Sequence, residues 1–377
     1  MKVVIAMDSF KGSLTAEQAC QIVADSIKSA VPETEVIVKP MADGGEGTAK
    51  AIMIAGGRGR WIKKAVTGPL PDMKVEAGFV WFEDERTALV EMATASGLEL
   101  IGGDKRNPMK TTTYGTGELI AAAAKYQAKK ILLAIGGSAT VDGGTGAATA
   151  LGWKFLDENG KELTGCGGNL SQIRKVISPA HPRQVGAEMQ VLCDVDNPLC
   201  GENSAAKVYG PQKGATPEMV KRLDAGLAHL AKIIKEQIGC DVKDVPGAGA
   251  AGGMAAGAIA FMNGRLVSGI ETVMSQSRLK ESLRDADWVI TGEGRFDSQS
   301  LQGKVISGIV RMGKSSGVKV AVLAGQVLLG AAEYQKFGVA DAIGCMGEKM
   351  TLEYAIKHSE ELLAEAAKKF ALKNLVG

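Results

Sequence analysis

Acidic, basic and glycine residues cluster at the ends of short apolar runs in this chain, and the densest cluster is Asp287–Lys304, DWVITGEGRFDSQSLQGK. It opens as a buried strand, Trp288-Val289-Ile290-Thr291, and breaks into a loop carrying Glu293, Arg295, Asp297, Gln299 and Lys304. In an open α/β sheet, ligands bind just past the carboxyl ends of strands. Two carboxylates and two cations at such an end mark a candidate site. Asp8-Ser9-Phe10-Lys11 ends the first apolar run in the same way. It is either a solvated turn or a base beside a compact cation suited to phosphate. Asp194-Val195-Asp196-Asn197, with Gln212-Lys213-Gly214, repeats the theme. Hard oxygen ligands of this kind suit Mg²⁺, which binds one or two carboxylates together with substrate phosphates.

Two DGGxG segments add to the pattern: Asp43-Gly44-Gly45-Glu46-Gly47, and Asp142-Gly143-Gly144-Thr145-Gly146 after Gly136-Gly137-Ser138-Ala139-Thr140. Each lies between a strand and a helix. The glycines free the backbone to wrap an anion, and a helix N-terminus favours negative charge. The aspartates are Mg²⁺ ligands, bases, or plain helix N-caps; the doubling of the motif tips the reading toward function. These loops are expected to converge on one phosphate-handling cleft. Phosphoryl transfer fits them, because it needs positioning and charge neutralisation more than a covalent nucleophile.

Two other matches are set aside. Gly308–Ser315 fits GxxxxGK[ST], but apolar Ile306, Ile309, Val310 and Met312 place it inside a helix with its strand following, the reverse of a P-loop. Gly247-Ala248-Gly249-Ala250-Ala251-Gly252 fits GxGxxG but follows Pro246 and a polar turn, so it is no dinucleotide fingerprint. An anion-binding helix start and close helix packing by small residues stay equally open there. His181, His229 and His358 lie far from any acid–glycine cluster, so a Ser-His-Asp hydrolase is poorly supported.

The elements that must position these residues follow from periodicity. Val3–Met7 and Glu35–Lys39 read as buried strands, with a helix between them that starts at Thr15 and carries Gln18 for a capping box. Residues 61–92 alternate in three β-like segments. A helix near Glu118–Gln127, strands Ile131–Ile135 and Gln190–Cys193, and a helix from Pro217 to the stop at Gly239 follow, with a loop-rich stretch at about 165–185. Strands Trp288–Thr291, Lys319–Leu323 and Ala340–Ile343 then alternate with helices, and the chain ends in one long amphipathic helix. The expected architecture is α/β in two domains. Residues 1–66 and 278–377 form a parallel-sheet domain built from both termini, residues 67–277 an inserted mixed α/β domain, and the active site lies in the cleft between them.

A length of 377 residues suits two domains, and a net charge of +2 with 5% aromatics gives no electrostatic footprint for nucleic acid or an anionic membrane. The six cysteines form no CxxC pair, which points to reduced thiols. No apolar run reaches the roughly 20 residues of a membrane helix, and KVVIAMD is a strand, not a signal peptide. A cytoplasmic protein, monomeric or homodimeric, is expected.

Ten segments in order, IAMDSFKGSLTA, KPMADGGEGT, VTGPL, EMATASGLEL, TTTYGTGELI, AIGGSATVDGG, CDVDNPLCG, YGPQKGA, PGAGAAGGM and VITGEGRFDSQSLQGK, together resemble the bacterial type I glycerate kinase family. Val141, where similar sequences often carry Asn, departs from the pattern, as locally do Cys200 and Phe296. The resemblance implies ATP-dependent, Mg²⁺-assisted phosphorylation of D-glycerate to 2-phosphoglycerate, or else to 3-phosphoglycerate, or action on a related hydroxy acid, and a flavodoxin-like terminal domain. Carried onto this chain, it makes Asp43 or Asp194 the general base, with Lys304 and Lys11 also catalytic. Asp8, Ser9, Arg295, Asn197 and Gln299 would bind glycerate, with Arg295 or Lys304 on its carboxylate. Gly136, Gly137, Ser138, Lys213, Gly247, Gly249 and Gly252 would hold ATP, and Glu293, Asp297 and Asp142 would hold Mg²⁺. A dehydrogenase would need a strand directly before Gly247. A glycerate-binding sensor would need fewer acids.

Overall fold

Apolar runs at both ends of the chain pair into one sheet. In the computed structural model, which describes residues 1–179, 186–301, 304–347 and 349–376, five strands lie parallel in the order Glu35–Val38, Lys2–Ile5, Trp288–Thr291, Lys319–Ala324 and Asp341–Gly344. Counted along the chain this is 2-1-3-4-5, the flavodoxin-like order, whose direction of winding reverses between the first and third strands. His181, Gln302 and Gly303 lie outside the described residues.

The strands read as continuous apolar segments because both faces of the sheet are covered. Val3, Ile5, Ile290 and Leu323 pack with Val23 and Ile27 of helix Ala16–Ala30 and with Leu363 and Phe370 of helix Ser359–Asn374. The alternate residues Val4, Val289 and Val320 are buried as well. Gly313 of helix Val305–Ser316 sits against Val320 and Val289. This glycine belongs to the P-loop-like string, which does lie inside a helix, and there it serves close packing. The capping box forms as the sequence requires: Gln18 N donates to Thr15 Oγ1 at 3.2 Å, and Thr15 N to Gln18 Oε1 at 2.9 Å.

Residues Met1–Asp43, Lys50–Arg58 and Ile270–Gly377 make up this first unit, and Gly44–Ala49 with Gly59–Gly269 the second. The second unit carries a mixed six-stranded sheet in the order Arg265–Val267, Glu188–Leu192, Lys130–Ala134, Thr87–Glu91, Lys74–Phe82, Arg60–Thr67. Its last two strands run antiparallel to their neighbours, so the alternating segments of residues 61–92 do form a meander. Helix Pro217–Ile238 starts at the Thr216 cap, whose Oγ1 accepts from Met219 N at 3.3 Å, and stops at Gly239 with φ 79°.

Three features depart from the periodicity reading. An antiparallel ribbon, Lys154–Leu156 with Lys175–Ile177, reaches into the stretch expected to be loop-rich. The short strand Arg265–Val267 was hidden by its length. The C-terminal helix is two helices, Leu352–Lys357 and Ser359–Asn374, broken at His358. The break turns Leu352 and Ile356 away from the core stripe: they are 63% and 41% exposed.

Phe370 is fully buried and meets Trp288 edge-to-face, 5.2 Å between centroids at 87°. Truncation leaves a cavity beneath the sheet. Phe370→Ala is expected to cost about 3–5 kcal/mol, read as a lowered urea midpoint followed by tryptophan fluorescence.

Candidate active site

Backbone hydrogen bonds carry the parallel ladder of the first unit beyond its strands. Asp8 N donates to Gly292 O at 2.9 Å, and Met41 N to Met7 O at 2.9 Å. Farther along the sheet, Gly325 N donates to Glu293 O at 3.1 Å and Met346 N to Gly325 O at 3.0 Å. These rungs set the loops after the strands side by side at the carboxyl edge. Gly292 must lack a side chain, since a Cβ there would lie 1.8 Å from the Leu323 carbonyl oxygen. A two-residue parallel ribbon, Arg295–Phe296 with Gln326–Val327, locks the next turn.

The loops enclose a cavity of about 450 Å³, at the switch point of the sheet and built wholly from the first unit. Asp8, Ser9, Lys11, Asp43, Glu293, Arg295, Asp297, Gln299 and Lys304 all line it. The sequence had placed these nine residues together by motif, without their geometry.

Asp8 is the electrostatic centre. It is 9% exposed, and its Oδ1 accepts from Ser9 N at 2.7 Å. Burial, then the neighbouring Asp43 and Glu293 charges, push its carboxyl from the ordinary 3.8 up to about 7, against the pull of the Ser9 hydrogen bond and Lys11. Burial also raises Glu293, against the charges of Lys304 and Lys11. Its Oε1 is a buried oxygen with no hydrogen-bond partner. An acid oxygen left so among other carboxylates suits a hard cation. Among the described residues no group of three or more His, Cys, Asp or Glu is disposed as an all-protein metal site. Mg²⁺ does not need one, because phosphate and water supply most of its shell.

Asp297 is differently engaged. Its Oδ2 meets Arg295 Nε at 3.0 Å and its Oδ1 accepts from Gln299 N at 2.8 Å. Ser300 Oγ accepts from Asp297 N at 3.2 Å and donates to Arg295 O at 3.1 Å. Asp297 thus orients the guanidinium and shapes the 295–300 turn. Lys304 precedes helix Val305–Ser316 as its N-cap, with its N–H on Ser307 Oγ at 3.0 Å. A cation at a helix N-terminus makes an anion site.

The other predicted residues belong to the second unit. Asp142 is fully buried, and its carboxylate accepts from Thr113 N and Thr113 Oγ1 (both 2.8 Å), Gly144 N (3.1 Å) and Gly146 N (3.2 Å). Four donors on one carboxylate tie the 113–114 turn to the start of helix Thr145–Ala150, whose N-cap residue is Gly144. Asp194 Oδ1 accepts from Ser268 Oγ at 2.8 Å and Gly269 N at 3.0 Å. Asn197 donates to Asn203 O at 3.0 Å and accepts from Tyr209 OH at 2.7 Å. Lys213 is 2% exposed, and its Nζ donates to Ser138 Oγ at 2.8 Å and Thr140 O at 2.7 Å. Burial drives this ammonium down from 10.5 to about 7.

Glycines of the second unit serve close backbone approach. A Cβ on Gly136 would lie 2.4 Å from Gly45 Cα, on Gly249 2.2 Å from Pro198 O, and on Gly252 2.0 Å from Thr140 O. Gly137 and Gly247 have φ of 73° and 81°. Close packing is thus observed at Gly249 and Gly252 of the GxGxxG string.

Sequence reasoning missed Glu91, which is 4% exposed and accepts from Gly47 N at 2.7 Å and Ala49 N at 3.0 Å, holding the second half of the first DGGxG loop. Its position at the end of an apolar run, Thr87–Glu91, was the available signal. It also missed the apolar wall of the cavity: Leu352, Ala355, Ile356 and Leu362 read as a core stripe, and Cys345 and Met346 follow the last strand with no motif to mark them. All six cysteines are free thiols. His229 Nε2 meets Ile173 O at 2.6 Å, and His358 stacks on Tyr354; neither lines the cavity.

The sequence model described as the glycerate kinase family matches residues 3–373. A glycerate kinase of Halalkalibacterium halodurans is 44% identical over 98% of this chain and 97% of its own. The glycerate 2-kinase of Escherichia coli K12 is 43% identical over 100% and 99%. A crystal structure from Salmonella typhimurium LT2, provisionally assigned as glycerate kinase 2, superposes with a TM-score of 0.83 at 40% identity, covering 99% of this chain and 98% of that one.

Because Asp8 titrates higher in the fold than in the unfolded chain, folding favours its protonated form. That contribution is full below about pH 4 and is lost as pH rises through about 7. Asp8→Asn, neutral throughout, should match wild type in Tm near pH 4 and exceed it near pH 8 in metal-free buffer. An equal difference at both pH values would show that Asp8 carries no such strain.

Proposed function

The chain belongs to the glycerate kinase family, and we propose that it transfers the γ-phosphoryl group of ATP to the 2-hydroxyl of D-glycerate, giving 2-phosphoglycerate and ADP. The observation that carries this reading is Asp8: a buried carboxyl near pKa 7 at the switch point, with Lys11, Arg295 and Lys304 lining the same cavity. The regiochemistry rests on the Escherichia coli relative, named for the 2-hydroxyl.

A general base is most useful when its pKa lies near the working pH. Asp43 and Asp8 share the cavity, and burial pushes Asp8 up to about 7. Asp8 takes the hydroxyl proton as the oxygen attacks the γ-phosphorus. The bond to the β-phosphate oxygen breaks, and ADP leaves with that electron pair. Asp43 holds Asp8 basic by like-charge repulsion. Lys11 neutralises the transferring phosphoryl, and Lys304 with the helix behind it, or Arg295 aimed by Asp297, holds the glycerate carboxylate. Ser9 and Gln299 remain for its hydroxyls. Mg²⁺ would screen the phosphates when bound with ATP, and Glu293, with its unpartnered buried oxygen, is the carboxylate that fits it.

The test is coupled ADP release with ATP, Mg²⁺ and D-glycerate, with ³¹P NMR of the product. The expected product is 2-phosphoglycerate; 3-phosphoglycerate would move the reacting hydroxyl, and no turnover with glycerate or other hydroxy acids would refute the assignment. kcat/KM should rise with pH and level off above about 7. Asp8→Asn should lose about 10²–10⁴-fold, with the rise in pH abolished in what activity remains.

A further inference from the structure

The cavity has two chemically different walls. One is the charged edge just described. The other is formed by Cys345, Met346, Leu352, Ala355, Ile356 and Leu362. Cys345 does not break its apolar character, since burial pushes the thiol up to about 12 and keeps it protonated. Leu352 and Ile356 sit on the short helix Leu352–Lys357, exposed at 63% and 41%, although Thr351 caps the helix through a hydrogen bond from Tyr354 N at 3.2 Å. A well-capped turn that presents large apolar side chains to an open cavity leaves them without a core to join.

Glycerate does not account for this wall. It is a three-carbon acid with polar groups on every carbon, and the partners proposed for it are all on the charged edge. A cavity of about 450 Å³ falls within the range for larger ligands. The substrate of the proposed reaction that has a broad apolar surface is the nucleotide. We propose that the purine base of ATP packs on Leu352 and Ile356, with its phosphates running toward Lys11 at the charged edge. Gln326 and Ser359 line the same cavity. An amide can pair with both a donor and an acceptor on an adenine edge. The proposal rests on the kinase reading for the identity of the ligand, and it assigns the base to the first unit.

The test separates base from phosphate and does not depend on turnover. ADP and inorganic tripolyphosphate are titrated calorimetrically into wild type, Ile356→Glu and Leu352→Glu. Both substitutions replace partly exposed side chains, and unchanged circular dichroism and Tm check the fold. ADP should bind each variant about tenfold more weakly, with tripolyphosphate affinity unaltered. In turnover, KM for ATP should rise while KM for glycerate holds. Equal ADP affinity in all three proteins would overturn the proposal, as would parallel loss of tripolyphosphate binding. So would a change in oligomeric state with ADP affinity intact, which would make the wall a contact between copies. If the wild type binds ADP but phosphorylates no hydroxy acid, the kinase reading fails while the base site stands.

Discussion

The Asp8 amide donates to the Gly292 carbonyl one rung past the point where the first and third strands of the terminal sheet stop pairing as strands. The candidate chemistry depends on that rung. It draws Asp8 alongside the Gly292–Glu293 turn, in a place where winding reverses and no crossover helix can cover the edge. Removing one carboxylate from water and setting two others near it raises its pKa into the physiological range. The acid is therefore made basic by the fold, at a cost in stability that the apolar strands beneath must offset. Gly292 is part of the same constraint, because any side chain there would collide with the neighbouring strand.

The two DGGxG segments show how similar strings acquire different work. Asp43 opens the first and lines the cavity of the terminal unit. Asp142 opens the second and spends its carboxylate on four donors inside its own unit. Burial raises the pKa of this carboxyl against the pull of those donors, and a group with that many partners is fixed in place, suited to hold a turn and a helix start. Lys213 is likewise committed to Ser138 and Thr140. The doubling of the motif pointed toward ligand binding for both, yet spacing does not record which backbone amides already occupy a carboxylate.

The cavity's second wall illustrates a related limit. Leu352, Ala355, Ile356, Leu362 and Leu363 follow the helical period and read as one buried stripe. The break at His358 divides them: Leu363 joins the core, while Leu352 and Ile356 stay open beside the charged edge. Periodicity locates an apolar face; it does not say whether the face meets the core or a ligand. Glu91 escaped notice for the converse reason. A lone acid closing an apolar run looks like a strand end until the amides of Gly47 and Ala49 are seen on it.

The sequence by itself determined the α/β class, the terminal parallel sheet, the helix caps at Thr15 and Thr216, and membership of a kinase family. Those follow from local patterning and from ordered motifs, which the chain carries in one dimension. It also named nine residues that prove to line one cavity. Only the tertiary structure decided which acids share a low-dielectric pocket, that Asp8 and not Asp142 lines the cavity beside Lys11, Arg295 and Lys304, and that an apolar helix turn completes the walls. Burial, mutual repulsion and hydrogen-bond saturation are properties of neighbours in space, and neighbours distant in sequence, such as Asp8 and Glu293, acquire them only when the chain folds.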